Sequence, residues 1–119
     1  MLGFLLSLVL SGPVMAHHSF AAFDGTKRLR LTGTVKTFQF TNPHSWIQLV
    51  VTTNDGRSEQ WSIELLSPNV LLRSGWHRSS VKPGDRVTVL INPMRDGSKG
   101  GNLVAVTLAN GQTLLGGAT

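Results

Sequence analysis

Apolar and polar residues alternate with a period of two over most of this chain, and the places where the alternation slips or stops mark its elements. In the longest run Leu29, Leu31, Gly33 and Val35 share one parity, while Thr32, Thr34 and Lys36 take the other. Phe38 and Phe40 continue the apolar set one position out of phase, which predicts a long first strand with a bulge or strong bend near Val35 to Phe38. Asn42-Pro43 ends it, because proline cannot donate to a sheet ladder and Asn opens turns. Trp46 to Thr53 reads as a second strand and Asn54-Asp55-Gly56 as a tight hairpin. Ser58 to Leu65 reads as a third strand, with Trp61, Ile63 and Leu65 expected inside.

Beyond Leu65 the period changes. Ser67 is placed to cap a short helix, Pro68 suits its first position, and Gly75 can end it before Trp76. Lys82-Pro83-Gly84-Asp85 is a turn feeding a fourth strand, Arg86 to Asn92, in which Val87, Val89 and Ile91 point one way and Pro93 stops the run. A polar loop from Met94 to Gly101 leads to a fifth strand, Asn102 to Leu108, and Asn110-Gly111 makes a further turn. The expected fold is therefore all-β with one short helix: a small five-stranded OB-like barrel, of the type that binds oligonucleotides and oligosaccharides, whose helix plugs one end and whose bent first strand serves both sheets. A β-sandwich would need about seven strands, more than this length provides.

The first residues obey different rules. Leu2 to Leu10 is apolar but too short to span a bilayer, Pro13 breaks it, and Val14 and Ala16 set small residues three and one places before a cut. Residues 1–16 thus read as a signal peptide, residues 17–28 as an N-terminal segment carrying a His pair, 29–115 as the barrel domain and 116–119 as a tail. The mature protein is expected to be periplasmic or secreted, with no transmembrane span after cleavage, and to begin at His17. Cleavage leaves about 103 residues, enough for one domain only. The chain has no cysteine, so disulfides, lipid attachment through sulfur and thiolate metal sites are excluded.

Eleven Lys and Arg against six Asp and Glu give a net charge of +5, all of it in the mature part. Outside the cytoplasm such a surface suits an anionic envelope component or another periplasmic protein rather than nucleic acid, and Arg28, Arg30, Arg95 and Lys99 are the residues expected to carry that docking. The rival chemistry is metal binding. A chain beginning at His17 offers a free amine and an imidazole on one residue with the His18 ring beside it, a set of nitrogen ligands for copper, nickel or zinc, and His44 is the candidate third residue. A cut one residue earlier would leave Ala16-His17-His18, a spacing that wraps amine, amides and imidazole around copper or nickel in a plane.

Other residues have simpler expectations. His77, after the helix, is assigned to its C-terminal dipole. Core packing accounts best for most of Phe38, Phe40, Trp46, Trp61 and Trp76; the alternative is that Phe38, Phe40 and Trp46, flanking the Asn42-Pro43 bend, are partly exposed and stack on sugars or bases. Glu64 and Asp85, at a strand end and in a turn, read as solvated or capping. No paired carboxylates, no Ser-His-Asp pattern and no phosphate-cradling glycine loop are present, so a binding module rather than an enzyme is expected.

Ala16-His17-His18-Ser19-Phe20, Leu31-Thr32-Gly33-Thr34-Val35, Thr41-Asn42-Pro43-His44-Ser45-Trp46, Lys82-Pro83-Gly84-Asp85 and Asn92-Pro93 together resemble a family of small exported bacterial proteins, the domain of unknown function 6152 family. The resemblance covers almost the whole mature chain. It implies a small exported β domain without an assigned activity, and it draws attention to His17, His18, Asn42, Pro43 and His44 without giving them a role.

Overall fold

The structure, a computed structural model, describes residues 21–116. The leader expected at residues 1–16, the His17-His18 pair and residues 117–119 lie outside the described residues. Six strands and one helix follow in order: β1 (Leu29–Gln39), β2 (Trp46–Thr52), β3 (Ser58–Glu64), α1 (Pro68–Arg73), β4 (Arg86–Pro93), β5 (Gly100–Thr107) and β6 (Thr113–Leu115). The first five match the predicted strands in order and nearly in boundary.

β1 works as the alternation required. Its first half, Leu29 to Thr34, pairs antiparallel with β4, and its second half, Thr34 to Gln39, pairs antiparallel with β2. The register slips between Val35 and Thr37, inside the stretch where the apolar phase changes. One strand thus joins two sheets, and Gly33 sits where they cross: a Cβ there would collide with the Val50 carbonyl oxygen and lie 3.0 Å from Leu49 Cγ. β2 and β3 form the hairpin predicted around Asn54-Asp55-Gly56, and β4 and β5 form another. A parallel pairing of Ser62–Glu64 with Gly100–Asn102 then closes the five-stranded barrel.

Inward-pointing Val35, Ile47, Leu49, Ile63, Val89, Ile91, Leu103 and Val106 fill the barrel. The helix caps one end. Pro68 opens α1 and Gly75, with a positive φ of 89°, lets the chain turn back beyond it. Ser67 occupies the N-cap position but makes no side-chain capping bond; only its carbonyl is used, by Leu71 N–H at 3.0 Å. Leu71, Trp76 and Val81 drive into the core, each side chain contributing about 1.5–3 kcal/mol of burial.

Two expectations are corrected here, and Phe40 takes the core-packing alternative. It is buried on Phe38, which in turn meets Trp76, and the Arg78 guanidinium lies 5.3 Å over the Phe40 ring. Trp61 is only half-buried, at the rim of the core, although Ile63 and Leu65 on its face are inside. The short β6, which the sequence pattern did not mark, lies beside β5, held by Thr107–Thr113 to Ala105–Leu115 pairing and by Gly116 N–H on the Val104 carbonyl at 2.8 Å.

Candidate functional site

The β1–β2 connection is tied to the far end of β3. Ser45 N–H donates to the Leu66 carbonyl at 3.1 Å and Leu65 N–H to the Ser45 carbonyl at 2.8 Å, while Thr41 Oγ1 donates to the His44 carbonyl at 3.3 Å and the Asn42–Pro43 bond is cis. These bonds set His44 beside Glu64, the last residue of β3. The Nδ1–H of His44 donates to Glu64 Oε1 in a short contact. Nε2 has no hydrogen-bond partner among the described residues, and the His44 side chain keeps 33% of its surface exposed.

Glu64 is the residue that sequence reasoning missed. Its parity, opposite to Ile63 and Leu65, puts it on the outer face of the barrel, where a solvated carboxylate was expected. It is instead nine-tenths buried, at 9% exposure. The cover comes from residues distant in sequence: Phe23 bridges Met94, Asp24 N–H donates to the Pro93 carbonyl at 2.8 Å, and Arg95 donates to the Ala22 carbonyl at 2.8 Å from its backbone and to the Ala21 carbonyl at 3.0 Å from Nε. The segment before β1 and the β4–β5 hairpin therefore roof the outer face of β2 and β3.

Under that roof lies an open cleft of about 340 Å³. Phe23, Trp46 and Met94 supply its apolar walls, Ser62 and Glu64 its sheet side, Lys99 its rim, and Ala22 stands at the edge where the chain enters from the N-terminus. Trp46 and Glu64 are direct partners across β2 and β3. Gly100 keeps the cleft open, since a Cβ there would come within 2.9 Å of the Ser62 carbonyl and 3.4 Å of Met94 Cγ. Three buried polar atoms have no partner among the described residues: Ser45 Oγ, Trp61 Nε1 and Asn102 Oδ1. Ser45 follows His44 in the chain, and Asn102 is the β5 partner of Glu64.

An imidazole held by a carboxylate at Nδ1 has a fixed tautomer and an Nε2 lone pair left for another partner, which is the arrangement of histidines that ligate metals. No group of three or more His, Asp or Glu side chains placed to hold a metal lies among the described residues. Of the predicted ligands, the description covers His44 alone.

His77 does not serve the helix dipole. α1 ends at Arg73, so His77 is beyond the last turn, exposed, with its N–H on Ser80 Oγ at 2.8 Å. The basic residues singled out for docking are in part engaged: Arg28 donates to the Gly25 and Lys27 carbonyls, Arg95 holds the roof, and Lys99 pairs with Glu59 at 2.9 Å, while Arg30 is exposed on β1. No helix among the described residues is long and apolar enough to cross a membrane.

Barrel closure, strand order and the plugging helix define a small five-stranded OB-like β-barrel with its candidate site on the outer face of β2 and β3. The model of a family of unknown function, DUF6152, matches residues 6–104, and the chain belongs to that family. No curated protein and no solved structure matches the chain.

Proposed function

We propose that this domain works outside the cytoplasm as a binding module for a divalent transition metal, copper above nickel or zinc, held by His17, His18 and His44. The observation that supports the reading most is the His44–Glu64 pair, which spends the Nδ1 proton on a carboxylate and leaves Nε2 with a usable lone pair. Chain length adds to it. Ala22 stands at the edge of the cleft that Glu64 lines, and the four residues back to His18 span at most about 14 Å, so the pair is tethered within reach of His44. Imidazole and amine nitrogens suit copper, which also stands highest in affinity among the divalent first-row metals.

Titrating the processed protein, beginning at His17, with Cu(II) while following visible absorption and electron spin resonance tests this. One equivalent should give a nitrogen-ligated signal. His17→Ala with His18→Ala should abolish it, and His44→Ala should weaken binding and change the hyperfine pattern. A signal unchanged in His44→Ala, or no nitrogen-ligated signal at one equivalent, overturns the assignment.

A further inference from the structure

Glu64 offers more than an anchor for His44. Its Oε1 is taken, while Oε2 has no hydrogen-bond partner among the described residues, and the carboxylate lines the cleft. Oε2 still reaches solvent through the cleft, so it is free to accept an O–H or N–H from a ligand. The surroundings select which. Trp46, paired with Glu64 in the strand register, sets an aromatic wall beside the acceptor, and Phe23 and Met94 complete the apolar walls.

Charge narrows the class. With His44 a neutral donor the Glu64 carboxylate keeps its negative charge, while Lys99 is paired with Glu59, so the cleft disfavours a phosphate or another anion. Along the same outer face runs a hydrogen-bonding strip of Ser62, Gln48 and Gln60, ended by the Lys36 ammonium: Ser62 Oγ donates to Gln48 Oε1 at 2.6 Å, Gln60 Nε2 reaches the same oxygen at 3.4 Å, and Lys36 Nζ donates to Gln60 Oε1 at 3.1 Å. An aromatic wall, one strong acceptor and a strip of amides suit a neutral ring that is apolar on its faces and hydroxylated at its edges.

We propose that the Trp46–Glu64 cleft binds a neutral saccharide, one sugar ring against Trp46 with a hydroxyl donating to Glu64 Oε2, and further units along Gln48 and Gln60. The site is separate in chemistry from the metal reading and stands without it. It uses Oε2 and the outer face, whereas the metal would use His44 Nε2.

The test takes the processed protein stripped of metal by chelator and titrates it with β-1,4-linked tetramers of glucose and of N-acetylglucosamine, by calorimetry and by amide chemical-shift mapping. Saturable binding of either tetramer, with shifts centred on Trp46, Gln48, Gln60 and Glu64, is expected. Glu64→Gln keeps the His44 bond through its amide oxygen but turns an N–H2 toward the cleft, and should weaken binding at least about tenfold. Trp46→Ala should lose it by a similar factor through stacking, and Arg30→Ala should leave it unchanged. Near-ultraviolet dichroism checks that each variant is folded; should Trp46→Ala not fold, the isosteric Glu64→Gln carries the test alone. The proposal is overturned if neither tetramer binds, if Glu64→Gln binds as the parent does, or if choline or an oligothymidylate shifts these residues while both sugars leave them still.

Discussion

The plug of the barrel and the roofed outer face of β2 and β3 treat tryptophan in opposite ways. In the plug Trp76 is wholly buried and its indole N–H donates to the Leu115 carbonyl at 2.8 Å, so the largest core side chain also pins the last strand. On the outer face Trp46 lines an open cleft, with Glu64 as its partner across β2 and β3. Side chains packed without a gap hold a fold together, whereas a side chain facing a cleft has surface left for a ligand. Substitutions in the plug and in the cleft should therefore have separable effects.

The largest effect belongs to the plug. Trp76→Ala should cost about 3–5 kcal/mol, from the cavity and from the stranded Leu115 carbonyl, while any protein that remains folded should bind ligands at the cleft as before. Chemical denaturation followed by Trp fluorescence measures it. A loss below about 1 kcal/mol would mean that the plug is not the stabilising part. Next in size is Gly33→Ala, whose Cβ would strike the Val50 carbonyl where β1 changes partners; a loss of about 1–3 kcal/mol in the same assay is expected.

Glu64→Gln should show the reverse profile. Stability should move by less than about 1 kcal/mol, because the side chain keeps its shape and its bond to His44, whereas metal affinity should fall about 10–100-fold as the imidazole loses its carboxylate partner. Parallel Cu(II) titration and denaturation of one preparation decide this. A large stability loss with unchanged affinity would make Glu64 a structural residue, and the contrast between plug and cleft would collapse.

Much of the barrel and its plug was legible in the chain, because period-two alternation and turn residues act locally. The phase slip at Val35 to Phe38 became the β1 bulge, Pro68 and Gly75 bounded the helix, and Asn54-Asp55-Gly56 made its hairpin. β6 escaped because three residues are too few to show a period. The candidate site was legible only at His44, which the turn before β2 isolates. Glu64 occupies a polar position in a correct alternation, and nothing near it in sequence announces that Ala22 to Asp24 and the β4–β5 hairpin will fold over it. Burial imposed by distant segments leaves no local pattern to read.

The smallest effect concerns that roof. The Asp24 carboxyl is held below the usual carboxylate range, chiefly by the Thr26 hydroxyl at 2.6 Å, then by the Thr26 N–H at 3.0 Å, with Arg95 and Lys27 adding favourable charge against the opposing effect of desolvation. Asp96, in the β4–β5 hairpin, is lowered in the same way by Ser98. A carboxyl whose folded pKa is depressed stabilises the structure above its unfolded pKa, and that contribution fades as pH falls through the lower, folded value. Acid should therefore loosen the roof, which Asp24 joins through the Pro93 carbonyl, before it reaches the apolar plug. In Thr26→Ala the backbone bond remains and the hydroxyl bond goes, so the Asp24 midpoint should rise toward the ordinary carboxylate value, and the amide protons of Asp24 and Arg95 should exchange faster at a higher pH than in the parent. Titration by carboxyl-carbon resonances reads the first and amide exchange the second, with the Trp76 amide as the internal reference. If Asp24 titrates identically in both proteins, the Thr26 hydroxyl does not set its acidity; if the Trp76 amide loosens in step with the roof, roof and plug do not open independently.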